Sequence, residues 1–153
     1  MRNRELVRYN QKLDSLFKKA REISEDAEVQ AHWARYLCVL VCGFLEIAVR
    51  TTYGEYARNK AHPNVSNYVT RKLDLFRSPK MGNIVELTKL FSKEWADDLE
   101  RATDGQLKDA VDSIVAVRHQ IAHGKDTSIS YVRVREYYQS AAKVVKLLEK
   151  QCK

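Results

Sequence analysis

Apolar residues recur at steps of three and four along most of the chain, the spacing of helix faces. Leu6, Tyr9, Leu13, Leu16, Phe17, Ala20 and Ile23 predict a first helix over about Arg4–Ser24, with Ser24 and Asp26 supplying stop-and-restart chemistry. Trp33, Tyr36, Leu37, Leu40, Val41, Phe44, Ala48 and Val49 predict a longer second helix from about Glu28 to Asn59. Val39, Ile47, Cys38 and Cys42 widen its apolar face until its middle is apolar nearly all round, as befits the centre of a bundle. His62-Pro63 ends it.

A shorter helix is predicted over Val65–Phe76 with Tyr68, Val69, Leu73 and Phe76 inward. Ser78–Asn83 is a turn. Ile84–Trp95 forms another short helix with Leu87, Leu90 and Phe91 inward, and ADDLERATDGQ after it is a loop or exposed helical turn. Gln106–His123 is helical, with Asp104 as candidate cap and Gly124 suited to the position just past a helix end. A last helix runs from about Ser130 to Gln151. The pattern predicts an all-α bundle of about five or six helices in a single domain over residues 1–153.

Composition narrows the class. The 153 residues are enough for an ordinary core, and five glycines with two prolines disfavour a β-sandwich or a disordered chain. The uncharged run YLCVLVCGFL is shorter than a membrane span needs, so no membrane association is expected. MRNRELVRYNQKL lacks a signal-peptide core, and a cytoplasmic protein is expected. Three cysteines, an odd count, argue against a disulfide framework. Net charge is +7, gathered in two segments. Residues 50–80 carry seven basic and two acidic side chains, and residues 118–153 carry eight and three, whereas residues 81–117 are acidic. Such clustering favours an anionic partner.

The second basic segment opens with AVRHQIAHGKDTS, in which Arg118, His119 and His123 fall within six residues. Three uses of them stand open. Cations near a helix C-terminus complement its dipole. His119 and His123, four apart, could join Cys38 and Cys42 around zinc. Or a proton-moving imidazole and a forked guanidinium could act together on a phosphate. The last use carries a geometric condition. Arg118 and His123 are about 140° apart around a continuous helix, so they share a cleft only if the last turn loosens or a second surface meets both flanks.

VRHQIAHG resembles the arginine–polar–x–x–x–histidine signature of HEPN domains. With RYLCVLVCGFLEIAVR, the long apolar helix with a glutamate some seventy residues earlier, the chain resembles the RiboL-PSP-HEPN branch over nearly its full length. That resemblance implies an all-α domain and a metal-independent endoribonuclease with no cofactor. Attack by the RNA's own 2′-hydroxyl would be served by His123 as acid or base, Arg118 on the phosphate, His119 assisting and Glu46 orienting Arg118. His119 stands where the family most often has asparagine. The resemblance also implies a homodimer with a composite active site and RNA as partner. Arg50, Lys125 and Tyr131 would border the groove as RNA contacts. Tyr137 and Tyr138 could also stack on bases, although bundle packing suits at least one of them. By analogy the role is that of a toxin or defence effector held by an antitoxin protein. The alternative is a non-catalytic HEPN module that binds RNA, a nucleotide or a protein.

Overall fold

A computed structural model describes residues 3–23 and 25–153, and the side chain at position 23 lies outside that description. Ser24, expected to help restart the chain, is likewise outside it. Among the described residues there are seven helices: α1 Arg4–Ile23, α2 Ala27–Lys60, α3 Pro63–Leu73, α4 Met81–Phe91, α5 Lys93–Thr103, α6 Gln106–Ala122 and α7 Tyr131–Gln151.

α2 is the axis, packed against α1, α3, α6 and α7. Asp26 caps its start, accepting from the amides of Glu28 and Val29 at 2.8 and 3.4 Å. Leu37, Cys38, Val41, Cys42, Phe44, Leu45, Ala48 and Val49 are fully buried, which is why this stretch is apolar on nearly every side. By length and composition α2 could cross a membrane, so the short uncharged run understated it. Two thirds of its most apolar window (67%) is buried inside the bundle. Buried side chains from all seven helices join in one core.

The extra helix comes from Ser92. Its extended backbone ends α4, and its hydroxyl accepts from the Trp95 amide at 3.2 Å to start α5. One predicted helix over Ile84–Trp95 is therefore two, and ADDLERATDGQ lies largely within α5. Ala96, Leu99 and Thr103 are the buried face of that helix, a period hidden by its acidic surroundings. Three smaller expectations also change. Met81 opens α4 instead of sitting in a turn, its amide donating to Asp112 at 2.9 Å. Tyr68 and Leu90, expected inward, are 63% and 83% exposed. Gly105, not Asp104, is the N-cap of α6; Asp104 accepts from the Gly105 amide.

Candidate active site

The site forms where the middle of α2 meets the C-terminal turns of α6. Glu46 faces α6 from α2 with its side chain only 10% exposed. A carboxylate this buried needs positive charge beside it. Two guanidiniums supply it. Arg50, one turn on, donates from Nη2 to Oε2 at 3.1 Å. Arg118 brings Nη1 to 3.4 Å from Oε1, an ion pair without hydrogen-bond geometry. Arg118 stays one-third exposed, so part of its fork remains open to solvent. Its charge also reaches inward: burial pushes the Cys42 thiol up to about 11, against the opposing pull of Arg118.

The histidines occupy another side of the same turns. His119 and His123 are both exposed, and their rings meet edge to face with centroids 4.3 Å apart. The helix does not loosen before His123, whose amide still donates to the His119 carbonyl at 3.1 Å. The angular separation from Arg118 therefore stands within one protomer. Of the four residues expected to be catalytic, the structure joins Arg118 to Glu46 and His119 to His123, as two pairs.

Past His123 the chain reverses. Gly124 takes a left-handed conformation (φ 67°). Its amide bonds the Ile121 carbonyl at 3.1 Å and that of Lys125 bonds Gln120 at 3.0 Å, the paired closure of a Schellman motif. The side chain of Lys125 is left in solvent. The following loop is pinned at Thr127, whose hydroxyl donates to Gln120 Oε1 at 3.1 Å and whose carbonyl accepts from Arg35 at 3.5 Å. Nothing lies within 4 Å of a Cβ placed on Gly124, so Gly124→Ala meets only the left-handed penalty. A loss of about 1 kcal/mol is expected. Thermal unfolding should show it as a melting point lower by roughly 2–4 °C. An unchanged melting point would mean that this turn is not closed as described.

Three residues fit the site less directly. Tyr131, expected to contact RNA, turns its hydroxyl to the Phe17 carbonyl at 2.9 Å and its ring toward Phe17, beside α1. Tyr138 is buried, stacked on Phe17 at 5.0 Å. Cys38 is buried with its thiol donating to the Ile114 carbonyl, and burial pushes it up to about 12. Both Cys38 and Cys42 are thus core residues apart from the exposed histidines. Among the described residues no group of three or more His, Cys, Asp or Glu side chains is placed to hold a metal ion. The tie from Arg35 to Thr127 had no local signal, because the two lie 92 residues apart.

A buried carboxylate between two cations can orient a phosphate-binding guanidinium, and two exposed imidazoles on another side of the same turns can move protons. No curated protein and no solved structure matches the chain. A family model described as RiboL-PSP-HEPN matches residues 4–153.

Proposed function

The chain belongs to the RiboL-PSP-HEPN family, and from that premise we propose that it is a metal-independent endoribonuclease working as a homodimer. The observation that carries this reading is Glu46 held between Arg118 and Arg50, with Arg118 on the same C-terminal turns of α6 that carry the paired histidines. The 2′-oxygen of the RNA attacks the adjacent phosphorus and gives its proton to an imidazole. The bond from phosphorus to the 5′-oxygen breaks, and a second, protonated imidazole returns a proton to that oxygen. The products are a 2′,3′-cyclic phosphate and a 5′-hydroxyl. His123 and His119 are the proton carriers. Arg118, oriented by Glu46, meets the charge that grows on the phosphoryl oxygens, and Arg50 and Lys125 hold neighbouring phosphates.

The separation of Arg118 from His123 is why a second copy enters the proposal. Tyr36, Val39, Gly43, Glu46 and Arg50 follow one another at steps of three and four, one line along α2. Tyr36 and Val39 are 47% and 37% exposed, large apolar groups in water about two to three turns before Glu46 on the same helix. Pairing two copies along this line covers them and sets one protomer's Arg118 against its partner's histidines. Val39→Glu then places like charges across the seam, a cost of several kcal/mol. The dimer Kd, measured by sedimentation, should rise ~100-fold or more, and cleavage should fall with the dimer fraction. A variant that stays dimeric and active rules out this seam.

The nuclease itself is tested by incubating purified protein with single-stranded and hairpin RNA in excess chelator. Cleavage to cyclic-phosphate ends is expected, and it should fall at least ~10²-fold in Arg118→Ala and in His123→Ala. Cleavage at the wild-type rate in both variants rejects the site. Inactivity with retained RNA binding instead favours a binding module. A role as a toxin or defence effector restrained by an antitoxin is part of the same proposal.

A further inference from the structure

A second candidate surface lies away from Glu46, between the C-terminal half of α1 and the start of α7. Asp14, Phe17, Lys18 and Arg21 recur at steps of three and four on α1, so they share a face. Tyr131, Arg135, Tyr138 and Gln139 do the same on α7. Together they line a groove of about 310 Å³.

Its floor is aromatic and fixed. Phe17 stacks on Tyr138 with centroids 5.0 Å apart and meets Tyr131 at 5.9 Å. Both tyrosine hydroxyls are committed within the protein. Tyr131 donates to the Phe17 carbonyl at 2.9 Å, and the Tyr138 hydroxyl bonds Asn10 Oδ1 at 2.7 Å and Asp14 at 2.8 Å. Of the three rings, Tyr131 is the one left half-buried, with surface still open.

Its rim is cationic. Lys18, Arg21 and Arg135 are exposed on the two opposing walls. Among the described residues none of the three forms an ion pair. The one carboxylate in the groove, Asp14, is engaged by Tyr138 and by the Asn10 amide at 3.2 Å. Three cations against one carboxylate leave the groove with an excess of positive charge around a rigid ring.

We propose that this groove is an RNA subsite that holds the single-stranded flank of the substrate, with a base against Tyr131 and phosphates on Lys18, Arg21 and Arg135. This rests on the reading of the chain as a ribonuclease. The pairing of stacking surface with backbone-tracking cations is what sequence-tolerant recognition of unpaired RNA requires. Charge alone would suit an acidic protein segment equally; the fixed ring favours nucleobases. Tyr131 is eight residues beyond His123, so chain reach keeps the groove within roughly 29 Å of the scissile site. A strand of several nucleotides spans that distance, whereas a dinucleotide stays at the cleavage site.

The experiment uses the full chain with His123→Ala, so that RNA is bound and not consumed. Fluorescence anisotropy with labelled single-stranded RNA of about 12 nucleotides is compared with that of about 3 nucleotides, across a salt series. The triple change Lys18→Glu, Arg21→Glu and Arg135→Glu should weaken the long RNA about 100-fold. It should lower the salt slope by about 2, three phosphate contacts at ~0.7 each. Short RNA should bind equally to both proteins. Tyr131→Phe keeps the ring and should bind normally, whereas Tyr131→Ala should weaken long RNA roughly 5–150-fold. Circular dichroism confirms that each variant is folded; the three exposed charges carry the test if Tyr131→Ala is not.

Unchanged affinity and salt slope in the triple variant overturn the proposal. So does poly-glutamate competing as well as RNA, since only charge is then being read. If the protein with His123 intact never cleaves, yet the triple change abolishes long-RNA binding, the nuclease reading fails and the groove stands. If it cleaves, and the triple variant binds and cleaves long RNA like wild type, the groove fails and the nuclease stands. A chain that binds no RNA at low salt loses both.

Discussion

His123→Ala should reduce chelator-resistant RNA cleavage by ~10²–10⁴-fold, the share that one positioned general acid or base supplies. The fold should hardly notice. His123 is exposed, and it closes α6 through its backbone amide, which alanine retains. Its ring meets the equally exposed His119, so stability should stay within about 0.5 kcal/mol of wild type. The contrast with Gly124→Ala makes this informative. The two positions are adjacent, yet one change removes the proposed proton carrier and leaves the turn, and the other strains the turn and leaves the imidazole. His119→Ala separates the two histidines further. If His119 is the second proton carrier, its loss should cost a factor comparable to the loss of His123; if it only positions His123, its loss should cost much less and the double change should match His123→Ala alone. Measuring single-turnover cleavage and melting temperature on all four proteins decides it. Equal small losses at both positions would mean that neither imidazole moves the proton.

What the sequence revealed, and what it hid, follows from the range of the forces involved. α2 was legible because its period, its Asp26 cap and its proline boundary are all local. Gly124 likewise announced the end of α6, and it closes the turn the way glycine does at that position. The split at Ser92 was missed because a polar residue inside an amphipathic run looks like part of its outer face until its backbone turns extended. Tyr68 and Leu90 were misjudged for a related reason: periodicity assigns them a face but cannot say whether anything covers it. At the candidate site, Arg118, His119 and His123 are one contiguous motif and stand out. Glu46 was placed near Arg118 by resemblance, since nothing at position 46 itself distinguishes a solvated glutamate from one that is nine-tenths buried. The double grip of Arg50 and Arg118 on that carboxylate, and the tie from Arg35 to Thr127, are long-range geometry without a local signal.

That double grip makes stability and activity respond differently to the same cluster. Arg118→Ala leaves Glu46 paired with Arg50 at 3.1 Å, so folding should lose about 1 kcal/mol or less. Glu46→Ala instead strands two partly buried cations near each other. A fully buried broken pair costs roughly 3–5 kcal/mol, and with the arginines a quarter to a third exposed the expected loss is roughly 1–3 kcal/mol. The melting point should therefore drop by several degrees for Glu46→Ala and little for Arg118→Ala. Activity should run the other way. Losing the guanidinium removes the donor that meets transition-state charge, a fall of ~10²–10³-fold in kcat. Arg118→Lys should recover only part of it, because an ammonium cannot present a fork to two oxygens. Glu46→Ala leaves the guanidinium present but unheld, and a misplacement on the order of 1 Å costs up to ~10²-fold. Glu46→Gln, which keeps the shape and one acceptor, should sit between Glu46→Ala and wild type in both measurements. The two residues act as a unit, so Arg118→Ala with Glu46→Ala should cleave no more slowly than Arg118→Ala alone. Losses that multiply in the double variant would show that Glu46 acts on the reaction through something other than Arg118, and the orienting role assigned to it would be wrong.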